Sequence, residues 1–240
     1  VQHGEMFPLL HEDRDNPLEL YQLWLNLPAR NKMVDPDFTM FWAQDIPRHT
    51  QRDAAGRRSQ IEVIAGQFTP VGSDTAVRPL PPPRSSWASE ADSEVAIWIV
   101  ELYPGASLQL PAASSAALRA LYLVKGSTLS VGEQHFSQPV VIEVRADQPA
   151  PLHNPGSEPV TVLVLQGRPI NEPVAAHGPF VMNTRAELLQ AIHDYQRTGF
   201  GGWNWPSREQ TFGDSARFAR HPDGRMERPI REDDGRPQCR

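Results

Sequence analysis

Glu94-Val-Ala-Ile-Trp-Ile-Val-Glu-Leu-Tyr103 is the first of five short apolar segments that follow one another closely along the chain. All five are rich in Val, Ile and Leu, and the breaks between them carry turn residues such as Pro104-Gly105. The four later segments are Ala120–Lys125, Thr128–Val131, Pro139–Arg145 and Val160–Leu165. Short strands with this punctuation predict an all-β sandwich or barrel.

The sequence before this region predicts two further strands separated by a long loop. Residues 18–27, LELYQLWLNL, alternate in the way that is typical of a half-buried strand. Pro28–Ser59 is polar and rich in turn residues, which indicates a loop or linker. A short strand follows at Gln60–Ala65 and is ended by Gly66.

One α-helix is predicted after the strands. Thr184 and Glu187 have the spacing of a capping box, apolar residues recur at helical intervals from Leu188 to Tyr195, and Gly199 stops the pattern. The sequence therefore predicts a largely β protein with a single helix close to its C-terminal end.

An aromatic segment and a polar tail follow the helix. Trp203 and Trp205 either pack the end of the helix onto a barrel wall or line a ligand groove. Ser207–Arg240 contains few apolar residues, and we expect a loosely held tail there.

The composition excludes several classes of protein. The chain has 240 residues, 39% of them hydrophobic, and a net charge of −6 with no basic stripe, which argues against direct nucleic-acid binding. No apolar run approaches the roughly 18 residues that a membrane span needs. A single cysteine, Cys239, suits a reducing compartment, so we expect a cytoplasmic protein that does not bind membranes.

Several strings of residues resemble the pirin family, whose members contain two cupin barrels. The longest is His177-Gly-Pro-Phe-Val-Met-Asn-Thr184, and the others follow the family order along most of the chain. They are His3-Gly-Glu-Met6, Gln22-Leu-Trp-Leu-Asn-Leu-Pro28, Lys32-Met33 with Pro36, Ile46-Pro47, Val63-Ile-Ala-Gly66 and Glu172-Pro-Val174.

The resemblance implies a bicupin fold, all-β with an incomplete first barrel and a C-terminal α-helix. Residues 1–48 would be the last part of the first, metal-binding barrel and a linker, and the upstream strands would precede Val1. Residues 49–182 would form the second barrel, and residues 183–240 the helix, the Trp/Gly segment and the polar tail.

His3 and Glu5 are the candidate metal ligands. On a strand, residues i and i+2 face the same side, so an imidazole nitrogen and a carboxylate oxygen could reach one divalent transition metal together. The resemblance implies a mononuclear site, usually iron, with three histidines and one glutamate. His3 and Glu5 would supply two of these ligands, and two further histidines are expected upstream of Val1. With only two ligands, this chain alone should bind iron weakly and be inactive.

The second barrel is expected to be free of metal. Counting forward from Gly105 places two cupin ligand positions at Pro111 and Ala113, and counting back from Asn154 places a third at Ala150. None of these three residues can ligate a metal. We therefore expect an interior filled with Leu, Val and Ile, and His153 beside Asn154 as a turn residue. For His177, a structural hydrogen bond and a catalytic role both remain open.

The resemblance implies quercetin 2,3-dioxygenase activity for the full-length protein, with a flavonol as the small aromatic substrate. Glu5 would act both as ligand and as the general base for the flavonol 3-hydroxyl, and Met6 and Phe7 would line the apolar mouth. Animal members of the family instead act as cofactors of transcription regulators. A metal- or redox-sensing protein with a protein partner, or a degenerate structural bicupin, therefore remain alternatives.

Overall fold

The computed structural model describes residues 3–7, 9, 11–203, 217–221 and 223–229. Trp205, Cys239 and much of the predicted tail lie outside these residues. The chain separates into two units, a barrel unit (Phe41–Asn171) and a flanking unit (Val1–Met40 with Glu172–Arg240). No helix in the described ranges has the length and apolar character that a membrane crossing requires.

The barrel unit contains two antiparallel sheets. The larger has six strands in the order β1-β2-β3-β10-β5-β8, and the smaller has four in the order β4-β9-β6-β7. The strands are β1 (Arg48–Arg52), β2 (Arg58–Ala65), β3 (Ala96–Leu102), β4 (Ser107–Leu110), β5 (Leu118–Lys125), β6 (Leu129–Val131), β7 (Gln134–Phe136), β8 (Val141–Arg145), β9 (Ala150–His153) and β10 (Val160–Gly167). Two 3-10 turns of three residues each lie at Trp87–Ser89 and Ala91–Ser93.

Alternation of apolar side chains builds the interior between these sheets. Every second residue of β2 and of β3 is buried, so each strand presents one face to the core. Trp98 on β3 is buried and meets the ring of Phe68 edge to face, with the ring centroids 5.2 Å apart. The other large side chains that are fully buried are all aliphatic: Ile61, Val63, Val100, Leu102, Leu110, Leu121, Leu129, Leu152, Val160, Val162 and Val164. The interior is thus filled with Leu, Val and Ile, as the sequence predicts.

Gly66 ends β2, as predicted, because only glycine fits there. Its φ is +66°, and an added Cβ would lie 2.1 Å from the carbonyl oxygen of Val95. The Gly66 carbonyl also accepts a hydrogen bond of 3.2 Å from Nε1 of Trp98. The close approach fixes the start of β3 against the end of β2.

Asn154 organises the turn between β9 and β10. Its fully buried side chain donates to the carbonyl oxygens of Leu102 and Glu158, over 2.9 and 2.8 Å, and accepts from the Gly156 amide over 2.9 Å. The neighbouring His153 is the last residue of β9, so its prediction as a turn residue was wrong. The hydrogen bonds of the turn come from the asparagine because its short amide can both donate and accept.

The five apolar segments predicted as strands are all strands, with ends that differ by up to two residues. The prediction of one continuous loop at Pro28–Ser59 was wrong, because it contains a 3-10 turn at Ala29–Asn31, all of β1 and the start of β2. Strand β1 reads Arg-His-Thr-Gln-Arg and pairs only with β2, at the edge of the sheet. An edge strand with polar side chains carries no hydrophobic alternation, so the sequence gives no signal for it.

The flanking unit contains two short hairpins and the predicted helix. The hairpins are β11 (Ala175–His177) with β12 (Phe180–Met182), and β13 (Ala219–Arg220) with β14 (Met226–Glu227). Helix α1 runs over Arg185–Thr198, and Gly199 ends it with a φ of +57°. Both hydrogen bonds of the Thr184–Glu187 capping box are present, which confirms that prediction.

The strand predicted at residues 18–27 is absent, and its apolar side chains are exposed, Trp24 by 68% and Leu18 by 63%. A strand needs a hydrogen-bonded neighbour, and within the described ranges no strand pairs with this segment. The predicted loose tail was also partly wrong. The β13–β14 hairpin lies within it, and the ring of His221 stacks on Phe38 with centroids 4.3 Å apart.

Candidate functional site

The side chains of His3 and Glu5 lie together. Nε2 of His3 is 3.5 Å from Oε1 of Glu5, in a segment without regular secondary structure. Both side chains are exposed, by 69% and 57%, so a nitrogen and an oxygen donor are available on one side of the segment. Among the described residues, no group of three or more His, Cys, Asp or Glu side chains could hold a metal ion. The pair therefore fits part of the coordination shell of a divalent transition metal.

Trp203 approaches this pair from a distant part of the chain. A Cβ built on Gly4, between the two candidate ligands, would lie 3.2 Å from Cη2 of the Trp203 ring. The absence of a side chain at residue 4 thus lets the indole pack against the backbone of the candidate ligand segment. The nearby side chains predicted to line the mouth, Met6 and Phe7, are 39% and 53% exposed.

Glu172 joins several of the strings that resemble the pirin family. Its Oε2 accepts hydrogen bonds from the Ala29 amide, over 2.6 Å, and from Nδ2 of Asn183, over 2.9 Å. Asn183 also donates to the Pro173 carbonyl over 3.1 Å. The carboxylate therefore ties the segment after Pro28 to the segment that enters helix α1, which no spacing in the sequence indicates.

Lys32 lies in the same cluster. Its Nζ donates to Oδ1 of Asn26 over 2.6 Å. Burial lowers the pKa of Lys32 below its ordinary value, while the negative charges of Glu172 and Glu187 act in the opposite direction. These contacts give the family-like strings a structural role in the flanking unit.

Glu172→Ala is expected to accelerate hydrogen exchange of the Ala29 amide by at least about tenfold. The variant removes the carboxylate that accepts this amide, and a hydrogen bond to a charged group contributes about 1.5–3 kcal/mol. Exchange followed by NMR in the intact chain measures the change. Glu172→Gln keeps an acceptor oxygen and should show a smaller effect, whereas unchanged exchange in Glu172→Ala would contradict the assignment.

Three aromatic rings pack at the end of helix α1. The centroids of Phe180 and Tyr195 are 5.6 Å apart, those of Tyr195 and Phe200 are 5.4 Å apart, and all contacts are edge to face. The sequence leaves two roles open for Trp203 and Trp205, packing against the end of the helix or lining a ligand groove, and Trp205 lies outside the described residues. Phe200, with Phe180 and Tyr195, packs at the end of the helix. Trp203 lies against Gly4.

His177 lies beside an apolar groove. The groove has a volume of about 500 Å³ and lies between the β11–β12 hairpin and one face of helix α1. It is lined by Ala175, Ala176, His177, Arg185, Leu188, Leu189 and Ile192. His177 is exposed on the groove wall, at the end of β11.

The cupin ligand positions of the second barrel are occupied by Pro111, Ala113 and Ala150, which carry no metal-ligating side chain. Ala150 is buried and pairs with Leu110, and the carbonyl oxygen of Pro111 accepts a hydrogen bond of 2.7 Å from Nη2 of Arg119. His153, at the other end of β9, contacts a hydroxyl group. Nδ1 of His153 is 3.0 Å from Oγ of Ser107.

Residues 97–201 match the family model described as the pirin C-terminal cupin domain. A Pseudomonas aeruginosa protein that is provisionally named as a quercetin 2,3-dioxygenase is 34% identical over 202 residues, which are 83% of this chain and 63% of that protein. A pirin-like protein of Solanum lycopersicum is 30% identical over 75% of this chain and 56% of its own length. The chain spans less than two thirds of the length of these curated relatives.

A protein of known structure has a fold similar to that of this chain. A crystal structure of quercetin 2,3-dioxygenase from Acinetobacter baumannii superposes with a TM-score of 0.57 at 29% sequence identity. The match covers 75% of this chain and 56% of that one.

Proposed function

Because the chain belongs to the pirin family of cupin proteins, we propose that it provides His3 and Glu5 to the iron centre of a longer quercetin 2,3-dioxygenase. The all-β fold with one C-terminal helix is that of the family, as the sequence predicts. The distance of 3.5 Å between His3 Nε2 and Glu5 Oε1 is the observation that supports this function for these two residues. The names of the relatives support the reaction and the flavonol substrate.

Glu5 has the chemistry of a general base in this proposal. A carboxylate oxygen can accept the proton of a flavonol 3-hydroxyl, and the exposed side chain leaves room for a substrate oxygen to approach it. His3 contributes a nitrogen ligand close to the Glu5 carboxylate, so that both groups can bind the same metal ion. When bound, iron or a related divalent metal supplies Lewis-acid stabilisation of the deprotonated substrate oxygen.

The rest of the first barrel would come from the remaining length of the longer protein. Exposed apolar side chains in the flanking unit support this part of the proposal. Among the described residues, every large exposed apolar side chain except Val71, Leu118 and Val141 lies in the flanking unit. Such a concentration is typical of a surface that another part of a protein covers. Residues 1–48 would then complete a metal-binding barrel, with two upstream histidines as further ligands, in a cytoplasmic protein.

Oxygen uptake with quercetin tests the enzymatic proposal. The longer protein is loaded with iron, and oxygen consumption is followed on addition of quercetin, with quercetin plus free iron as the control. Saturable uptake that requires the protein is the expected result. Uptake no faster than that of free iron would contradict the enzyme and favour a sensing protein with a protein partner.

Iron retention tests the site itself. We expect the longer protein to keep close to one iron per chain after dialysis and the 240-residue chain to lose nearly all of it, because two ligands leave the ion mostly hydrated. Metal analysis of both dialysed samples measures the difference. Equal, stoichiometric iron in both proteins would contradict the predicted upstream ligands.

A further inference from the structure

Arg119 points into the interior of the barrel unit. It lies on the same face of β5 as Leu121 and Leu123, and only 3% of it is exposed. Its strand neighbours in the same row are Gln166 on β10 and Val144 on β8. A guanidinium therefore lies on a strand face whose other buried residues are apolar.

Neutral oxygen atoms accept hydrogen bonds from only some of the N–H groups of this guanidinium. Nε and Nη2 of Arg119 both donate to Oε1 of Gln166, over 2.9 and 2.5 Å, and Nη2 also donates to the Pro111 carbonyl. The Nη1 atom is buried, and no described residue accepts a hydrogen bond from it. Two N–H groups of a charged side chain thus lack an acceptor, which costs free energy unless something else binds there.

The positive charge of Arg119 also lacks a counterion in the described part of the chain, where no carboxylate forms an ion pair with it. Burial lowers the pKa of Arg119 below its ordinary value. Buried charges in proteins are normally paired, because the transfer of an unpaired charge from water is very costly. The remaining requirement at this position is one unit of negative charge.

A short exposed loop lies beside Arg119. It starts at Pro111, and its residue Ser114 donates through its backbone amide to Oε1 of Glu94, over 2.9 Å, and through its hydroxyl to the other carboxylate oxygen. The Glu94 carbonyl in turn accepts from Nε2 of Gln166 over 3.0 Å. Gln166 is thereby oriented with its oxygen towards Arg119, so the free Nη1 edge is a fixed feature of the fold.

We propose that Arg119 is the anchor of a binding site for a small carboxylate anion in the barrel unit. The carboxylate oxygen would accept from Nη1, which has two free donors, and its charge would match that of one guanidinium. Ala117, two residues before Arg119, and Ala96, the β3 residue that pairs with Gln166, are buried, small and apolar, which suits the hydrocarbon part of a small organic acid. This site contains neither His3 nor Glu5 and does not depend on the proposed oxidation of flavonols.

Acetate is the probe, and its neutral analogue acetamide is the control. At constant ionic strength, acetate should raise the midpoint of thermal unfolding of the intact chain by about 4 °C when it is tenfold above its dissociation constant. Acetamide should give no saturable rise, because it carries no charge. In 15N spectra of the arginine guanidinium groups, acetate should shift the signals of one residue with the same saturation.

Two variants identify the residue. Arg119→Met should lose the response to acetate, whereas Arg145→Met, which removes an exposed arginine of the neighbouring strand β8, should keep it. If Arg119→Met does not fold, the guanidinium titration of the unmodified chain decides alone. Equal responses to acetate and acetamide, or no saturable shift of any guanidinium signal, would overturn the proposal and leave Nη1 hydrated by water.

Discussion

Leu121→Ala is expected to lower the free energy of unfolding by about 3 kcal/mol. Truncation of a buried leucine to alanine costs about 2–5 kcal/mol, and the cost is high where the surrounding residues cannot move in to fill the cavity. Leu121 is fully buried in the middle of β5, between β10 and β8. Its neighbours Val164 and Ile142 stand on regular strands, which can relax only partly into the cavity. Urea unfolding followed by circular dichroism measures the change.

Leu118→Ala is the matched control on the same strand. Leu118 is 68% exposed, so the same chemical change should alter the free energy of unfolding by no more than about 0.5 kcal/mol. Similar losses in the two variants would show that the core lies elsewhere.

Glu5→Gln in the longer protein is expected to lower kcat for quercetin by at least about 100-fold. The amide has nearly the shape of the carboxylate but cannot accept the substrate proton, and general-base catalysis contributes about 10²–10⁴ in rate. It also removes the negative charge that would attract a divalent ion beside His3. Oxygen uptake and iron content are measured on the same dialysed sample.

Iron content separates the two roles of Glu5. A variant that keeps its iron and loses turnover would have lost the base, whereas a variant that loses both would have lost a ligand. Glu12→Gln, a nearby exposed glutamate, should keep both properties. Full turnover in Glu5→Gln would rule out the base role.

Local patterns explain what could be predicted of the fold. The alternation through Trp98 and the Thr184–Glu187 capping box both act within a few residues, so the sequence alone identifies β3 and the start of α1. Residues 18–27 alternate equally well but form no strand, because alternation marks a face and says nothing about the partner that must cover it. Strand β1 shows the reverse case, since pairing with β2 orders a segment with no apolar pattern.

In the candidate site, too, contacts between residues close in sequence could be predicted, and contacts between distant residues could not. His3 and Glu5 are two residues apart, and their side chains were predicted to share one face of a strand. The side chains do lie 3.5 Å apart, but the segment that carries them is not a strand. The approach of Trp203 to Gly4 and the bond from Ala29 to Glu172 join residues that are far apart in the chain. Such contacts depend on the folded arrangement, and a single sequence carries no local signal for them.

The uneven distribution of exposed apolar side chains has a practical consequence for biochemistry. A polypeptide of residues 41–171 contains the whole buried cluster from Ile61 to Val164 and lacks nearly all of the exposed large apolar side chains. We expect this shorter polypeptide to stay monodisperse at concentrations at which the 240-residue chain aggregates. The longer chain should also be retained more strongly on a phenyl column and should increase the fluorescence of a hydrophobic dye more. Crystals of the Arg119 region are therefore best sought with the excised barrel.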